Sequence, residues 1–86
     1  MSKLNARFER RLLDAADTLA ELNKLKAEVL SINLDTAIPV VRVQPTKGLQ
    51  KVCGAWRRSR RSEPGNRIDL MRGNLKGCFV EWEVRS

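Results

Sequence analysis

The chain has 86 residues, of which 17 are Lys or Arg and 10 are Asp or Glu, and its formal net charge is +7 at pH 7. It contains no histidine and only two cysteines, so histidine-dependent catalysis is excluded and the four nitrogen or sulfur ligands of a structural zinc ion are not present. We therefore expect one domain over residues 1–86 with a modest core, no metal or cofactor, and no enzymatic activity.

The N-terminal third predicts one long amphipathic helix. Residues 2–31 contain no Gly or Pro and consist mostly of Leu, Ala, Glu, Lys and Arg, which favour helices. Apolar residues recur at steps of three and four through Phe8, Leu12, Ala15, Leu19 and Leu22. We place this helix over residues 1–33.

A helix of this length would extend for roughly 45 Å, which is longer than a domain of this size requires. It either packs on a sheet and overhangs it, or it pairs with a second copy of the chain, because its apolar residues follow a heptad-like pattern. Both interpretations stay open. The length and the modest core together favour a homodimer formed through this N-terminal helix.

Beyond residue 37 the pattern changes to short segments rich in β-branched residues and separated by Pro and Gly. Residues 38–43, 51–58, 67–72 and 78–85 each predict a strand. A turn at residues 63–66, with Pro64 and Gly65 in a type II pattern, and a glycine-bounded loop at residues 73–77 predict hairpins between the later strands. The fold class is therefore α+β, with a helix over 1–33 followed by a three- or four-stranded antiparallel sheet over 38–86.

The same periodicities predict the core. On the helix we expect the core residues Phe8, Leu12, Leu19, Leu22 and Leu25. On the sheet we expect Val41, Val43, Ile68, Leu70, Cys78, Val80, Trp82 and Val84. We expect both Cys53 and Cys78 to be free, half-buried thiols.

The positive charge lies in the second half of the chain. Residues 1–36 hold six basic and six acidic side chains, whereas residues 37–86 hold eleven and four. The densest stretch is a predicted basic hairpin loop over residues 57–67. The candidate binding residues are Lys51, Arg57, Arg58, Arg60, Arg61 and Arg67. Arginine forms bidentate hydrogen bonds with phosphate and stacks on bases, so this stretch suits nucleic acid, DNA or RNA, or an acidic protein surface.

Trp56 adjoins these arginines and has two interpretations. Alternation along residues 51–58 places Trp56 on the same face as Val52, which favours packing in the core. An exposed Trp56 would instead supply a stacking surface for a base. The carboxylates of Asp69, Glu81 and Glu83 lack a nucleophile or metal beside them, so we expect cross-strand pairing with Arg67 or a neighbouring Lys or Arg.

The sequence leaves three interpretations of the function open. The first is a small non-enzymatic accessory or regulatory protein that binds nucleic acid through the basic β-hairpin. The second is an inhibitor or adaptor that docks the hairpin on an acidic protein surface, for example a phage-type inhibitor of a host nucleic-acid-processing complex. A purely structural subunit is a third interpretation.

The start of the chain lacks the uninterrupted apolar stretch of a secretory signal, and no apolar run reaches membrane-spanning length. We therefore expect a cytoplasmic protein with no membrane partner.

Overall fold

The computed structural model describes residues 2–49 and 54–85. Its elements are α1 (Lys3–Lys24), β1 (Val29–Asn33), β2 (Val40–Val43), β3 (Trp56–Glu63), β4 (Asn66–Leu75) and β5 (Cys78–Arg85). The α+β class is confirmed. The predicted three- or four-stranded antiparallel sheet is wrong, because the sheet has five strands in the order β1-β2-β5-β4-β3 and its β2 and β5 are parallel.

Helix α1 begins and ends on local signals. At its start the Ser2 hydroxyl accepts a hydrogen bond from the Asn5 amide at 3.1 Å, which caps the first turn. At its end the chain turns at Lys26, whose φ is +58°. The Ala27 amide donates to the Leu22 carbonyl and the Lys26 amide to the Asn23 carbonyl, both at 3.0 Å. This is a Schellman motif, and it ends the helix at Lys24 rather than at residue 33.

Strand β1 forms from residues that we predicted to belong to the helix. Val29 lies opposite Val43 of β2, and Ile32 lies opposite Val41, in an antiparallel pair. Both Val29 and Ile32 are β-branched and fit a strand. The sequence did not reveal this strand because its neighbours are helix-favouring residues and because a lysine, not a glycine, occupies the left-handed position at the end of α1.

The long stretch of chain between β2 and β5 allows these two strands to pair in parallel. Residues 44–77 include the whole β3–β4 hairpin, and parallel neighbours require a long connection of this kind. Val41 lies opposite Val80 in this pair, and both are fully buried.

The core lies between α1 and one face of the sheet. It consists of Leu22, Ala27, Val41, Val43, Leu49, Cys78, Val80 and Trp82. Four predicted core residues are outside it: Leu12 and Val84 are 56% and 42% exposed, and Phe8 and Leu19 are only half-buried. The helix turns Ala15, Thr18 and Leu22 towards the sheet, which leaves Leu12 at the side.

Two further core predictions are corrected by the register of β4. Ile68 and Leu70 lie opposite Arg85 and Glu83 of β5, on the sheet face away from the helix. Ile68 is nevertheless buried, whereas Leu70 is half-buried.

Helix α1 contacts the turn between β4 and β5. The Thr18 hydroxyl lies 2.9 Å from the carbonyl oxygens of Leu75 and of Asp14, so its one proton is shared between them. The φ of Gly77 is +85°, which favours glycine, and a Cβ at this position would also lie close to the Asp14 carboxylate, at 3.3 Å. The turn residues Lys76 and Gly77 both have positive φ, which fits a type I′ hairpin.

The predicted basic loop over residues 57–67 is instead a long hairpin. Strand β3 pairs with β4 from Trp56 and Arg72 to Glu63 and Asn66, and only Pro64 and Gly65 form the loop. The φ of Gly65 is +80°, as the predicted type II turn requires. Arginines are accommodated here because β3 is an edge strand, where charged side chains reach solvent and discourage edge-to-edge association.

The end of α1 yields a stability prediction. Lys26→Gly should stabilise the protein by about 0.5–1 kcal/mol, because glycine adopts positive φ without the steric penalty of a side chain. Lys24→Gly, two residues earlier and within the helix, should destabilise it by about 1 kcal/mol. Urea denaturation followed by circular dichroism measures both. Destabilisation by Lys26→Gly would contradict the conclusion that a Schellman motif ends α1.

Candidate functional site

The structure divides the predicted basic residues between the two faces of the sheet. Arg57 and Arg60 lie opposite Met71 and Asp69, on the face that packs against α1, and alternation places Arg67 on that face too. Arg58 and Arg61 lie on the other face, since a β-bulge shifts the register between Arg57 and Ser59. Lys51 lies outside the described residues. The structure therefore does not bring these arginines into one cluster.

We call the sheet surface opposite α1 the open face, and it carries a row of aligned residues. Trp56 of β3 lies opposite Arg72 of β4, Arg72 opposite Glu81 of β5, and Glu81 opposite Arg42 of β2. This row crosses four strands, which at the usual strand spacing is a span of roughly 14 Å. The candidate site is built on it.

Glu81 is the centre of an arginine cluster. Its side chain is only 4% exposed, and it accepts hydrogen bonds from Arg72 Nε at 2.7 Å and from Arg58 Nη1 at 3.2 Å. Arg72 Nη2 lies 2.7 Å from the same carboxylate oxygen, and Arg42 Nη2 lies 3.8 Å from the other. We call Arg42, Arg58, Arg72 and Glu81 the Glu81 cluster.

The Glu81 cluster retains positive charge on the surface. Three guanidinium groups and one carboxylate give it a net charge of +2. The side chains of Arg42 and Arg58 are 44% and 50% exposed, so their remaining donors are accessible to solvent. The buried carboxylate therefore holds arginines in defined positions while leaving them able to bind an anion.

Two aromatic rings adjoin this cluster. Trp56 is 43% exposed, and its ring centroid lies 6.5 Å from that of Phe79 with an interplanar angle of 84°. The Arg72 guanidinium lies 4.3 Å from the centroid of the Phe79 ring, a cation–π contact. Alternation in the sequence had favoured packing of Trp56 in the core. The register explains the difference, because Trp56 lies opposite Arg72 on the open face, which Arg58 shares by simple alternation.

A shallow depression lies beside the cluster, and we call it the Phe79 depression. Its volume is about 320 Å³, and it is lined by Thr36, Ala37, Ile38, Val40, Arg58, Arg72 and Phe79. Most of these side chains are apolar, whereas the two arginines also belong to the Glu81 cluster. The lining therefore combines an apolar surface with adjacent positive charge.

A second depression, of about 490 Å³, lies farther along the sheet between β1, β2 and β5. It includes Arg42 and Arg85 but also the carboxylate of Glu83, and no aromatic side chain lines it. It is therefore less suited to an anionic ligand that carries a ring.

The expected cross-strand pairing is confirmed for Glu81 and Asp69, with Arg60 rather than Arg67 as the partner of Asp69, but not for Glu83, whose partner lies on the same strand. Besides Glu81, Asp69 accepts a hydrogen bond from Arg60 Nε at 2.9 Å, and Glu83 lies 3.5 Å from Arg85 Nη2. The hydrogen bond from Arg60 lowers the pKa of Asp69 below its ordinary value. A phosphate that binds Arg60 must therefore compete with an ionised carboxylate.

Sequence reasoning missed four residues of the site: Arg42, Arg72, Phe79 and Glu81. Arg42 is the single charge of the apolar strand β2, and Arg72 follows Arg67 by five residues, so both stand outside the basic run. For Phe79 and Glu81 the sequence signal is alternation, because these two residues form the polar side of β5 and so must face away from the core. Only the strand order shows that this side meets Arg72 and Arg42.

Cys78 is a free, buried thiol, and burial raises its pKa, so it is not an activated nucleophile. The prediction for Cys53 falls outside the described residues. Within residues 2–49 and 54–85, no group of three or more acidic or cysteine side chains is placed to hold a metal ion. In that same part of the chain, no helix is long and apolar enough to cross a membrane.

Comparison with known proteins gives no relative from which a function can be transferred: no protein-family model, no curated protein sequence and no solved structure matches this chain.

The burial of Glu81 yields a stability prediction. Glu81→Gln should destabilise the protein by about 2 kcal/mol, because the largely buried Arg72 loses its charged partner. Glu83→Gln on the same strand should cost less than about 0.5 kcal/mol, since its partner Arg85 is mostly exposed. Urea denaturation measures both variants. Equal effects of the two substitutions would contradict the central position of Glu81.

Proposed function

We propose that the protein binds nucleic acid without catalysing a reaction, and that arginines of β3 and of the open face contact the phosphates. The observation that carries this proposal is the Glu81 cluster, where a buried carboxylate orients Arg58 and Arg72 by hydrogen bonds, lies 3.8 Å from Arg42, and still leaves a net charge of +2. Oriented guanidinium groups form bidentate hydrogen bonds with phosphate and lose little conformational entropy on binding.

The charge distribution supports the same proposal. Arg57, Arg58, Arg60 and Arg61 are all exposed on the edge strand β3, and its partner β4 carries the exposed Arg67 near the turn. A polyanion that lies along this edge can contact arginines on both faces. Such binding is dominated by counterion release and is independent of sequence.

Salt dependence tests this proposal. Three phosphate contacts predict that duplex affinity falls roughly 40-fold between about 50 and 200 mM salt. Fluorescence anisotropy of a labelled oligonucleotide measures this slope. Arg58→Ala should reduce the slope by about one phosphate contact. Arg7→Ala, which removes the same charge from α1, is the matched control and should leave the slope unchanged.

Absence of binding at the lower salt concentration would contradict the proposal. The alternative function, docking of the hairpin on an acidic protein surface, predicts a different result. In that case polyglutamate would compete as effectively as nucleic acid, because only negative charge matters. Under our proposal polyglutamate competes poorly, since carboxylates lack the density and geometry of phosphates.

We also propose that the protein forms a homodimer through α1. Leu12 and Leu13 are 56% and 57% exposed, and Ala16 and Ala20 continue this apolar side at helical spacing. The charges of the helix suit an antiparallel pair. Its first half carries Lys3, Arg7, Arg10 and Arg11 against Glu9, and its second half carries Asp14, Asp17 and Glu21 against Lys24. Antiparallel helices would bring opposite charges together.

Sedimentation equilibrium tests the dimer. We expect the wild-type protein to be dimeric, and Leu13→Glu to be monomeric, because the new charge would be buried in the interface. Leu4→Glu is the matched control, since Leu4 is equally exposed but lies away from the Leu13 side of the helix. A monomeric wild-type protein would overturn this proposal and leave nucleic-acid binding unaffected.

A further inference from the structure

We infer that the open face selects single-stranded over duplex nucleic acid, with one base stacked on Trp56 and a neighbouring base in the Phe79 depression. This inference rests on the proposed function and names its substrate class. It uses the aromatic and apolar features of the open face, which phosphate binding alone does not require.

The exposure of Trp56 is the first argument. A fold of this size gains stability by burying a tryptophan, yet Trp56 remains 43% exposed while Trp82 is only 4% exposed. An exposed indole among arginines is a stacking surface for a base. Bases inside a duplex already stack on one another and offer only their edges, so a single strand is the form that can use Trp56.

The orientation of Trp56 is the second argument. Phe79 contacts it nearly perpendicularly, at 6.5 Å between ring centroids, and Arg72 in turn lies 4.3 Å from the Phe79 centroid. Because Arg72 is held by Glu81, this chain of contacts positions the indole before a ligand arrives. A pre-positioned ring loses little entropy on binding. Since Phe79 already carries a cation on its ring, we assign stacking to Trp56.

The Phe79 depression is the third argument. Ala37, Ile38 and Val40 give it an apolar lining suited to a base, while Arg58 is placed to bind the adjoining phosphate. Arg58 contacts Glu81 through Nη1, and a guanidinium has five N–H donors, so further donors serve the phosphate. The two base positions and the Glu81 cluster lie on one face, as a single strand crossing the sheet requires.

Two oligonucleotides of equal length test the inference: a labelled oligothymidylate and a duplex, both titrated at about 50 mM salt. We expect the single strand to bind at least roughly tenfold more tightly, since stacking adds to phosphate contacts only in the single strand. Trp56→Ala should weaken single-strand binding by roughly 5- to 150-fold, the usual effect of losing one stacked base, with little change for the duplex. Trp56→Phe should retain most of the affinity.

Intrinsic fluorescence gives a second readout. The oligothymidylate should quench the emission of the wild-type protein through Trp56. In Trp56→Phe the remaining emission comes from the buried Trp82, so quenching should disappear while the emission reports an intact fold. Because this variant should still bind, the loss of quenching would show that the quenched signal comes from Trp56, and the Trp82 emission would show that the fold is intact.

The Phe79 depression is tested by a matched pair of variants. Ile38→Glu should weaken single-strand binding, because it places a negative charge in the lining. Ile32→Glu introduces the same charge on β1 at a residue of similar exposure, 39% against 42%, and should have a smaller effect.

The possible outcomes distinguish failure of this inference from failure of the proposed function. Equal affinity for both oligonucleotides, or no effect of Trp56→Ala, would overturn the inference while salt-dependent binding would still support the proposed function. Failure of both oligonucleotides to bind would overturn the proposed function and the inference together.

Discussion

The buried carboxylate of Glu81 is the interaction on which the open face depends. It lies among arginines of three different strands, β2, β3 and β4, and contacts each of them. A carboxylate with 4% exposure is tolerated only when charged donors surround it. Glu81 therefore orders Arg58 and Arg72 on a sheet face that no described helix covers. Arg72 in turn lies over Phe79, and Phe79 contacts Trp56, so one ion-pair cluster fixes both the charges and the rings of the candidate site.

Strand β5 connects this site with the core. Its alternate residues Cys78, Val80 and Trp82 are buried beneath α1, whereas Phe79 and Glu81 belong to the open face. Because the side chains of one strand supply both surfaces, the position of the core also determines the register of the site. A binding surface built on paired strands is more rigid than one on a loop, and rigidity is what orientation of arginines and an indole requires. The sheet thus links a modest core to a surface suited to an extended polyanion.

The sequence predicted those features that depend on local periodicity. These include the helix, the alternation of β5 and the type II turn at Gly65, each of which has its signal within a few residues. It did not predict features that depend on distant contacts or on an unusual residue. The end of α1 was missed because Lys26 occupies a conformation that usually indicates glycine, and strand β1 was missed as a result. The site was found only in part: Arg58 and Trp56 were named, but Arg42, Arg72 and Glu81 are brought to them by strand order alone.

The central claim is that nucleic acid binds the open face, and the two tryptophans allow a direct test. In a nitrogen–proton correlation spectrum, the indole N–H signals of Trp56 and Trp82 report on the open face and on the core. On addition of an oligothymidylate, we expect large shifts for the Trp56 indole and for the Nε–H signals of Arg58 and Arg72, with the Trp82 indole almost unchanged. Shifts confined to α1 and to Arg57 and Arg60, with a stationary Trp56 indole, would contradict this claim.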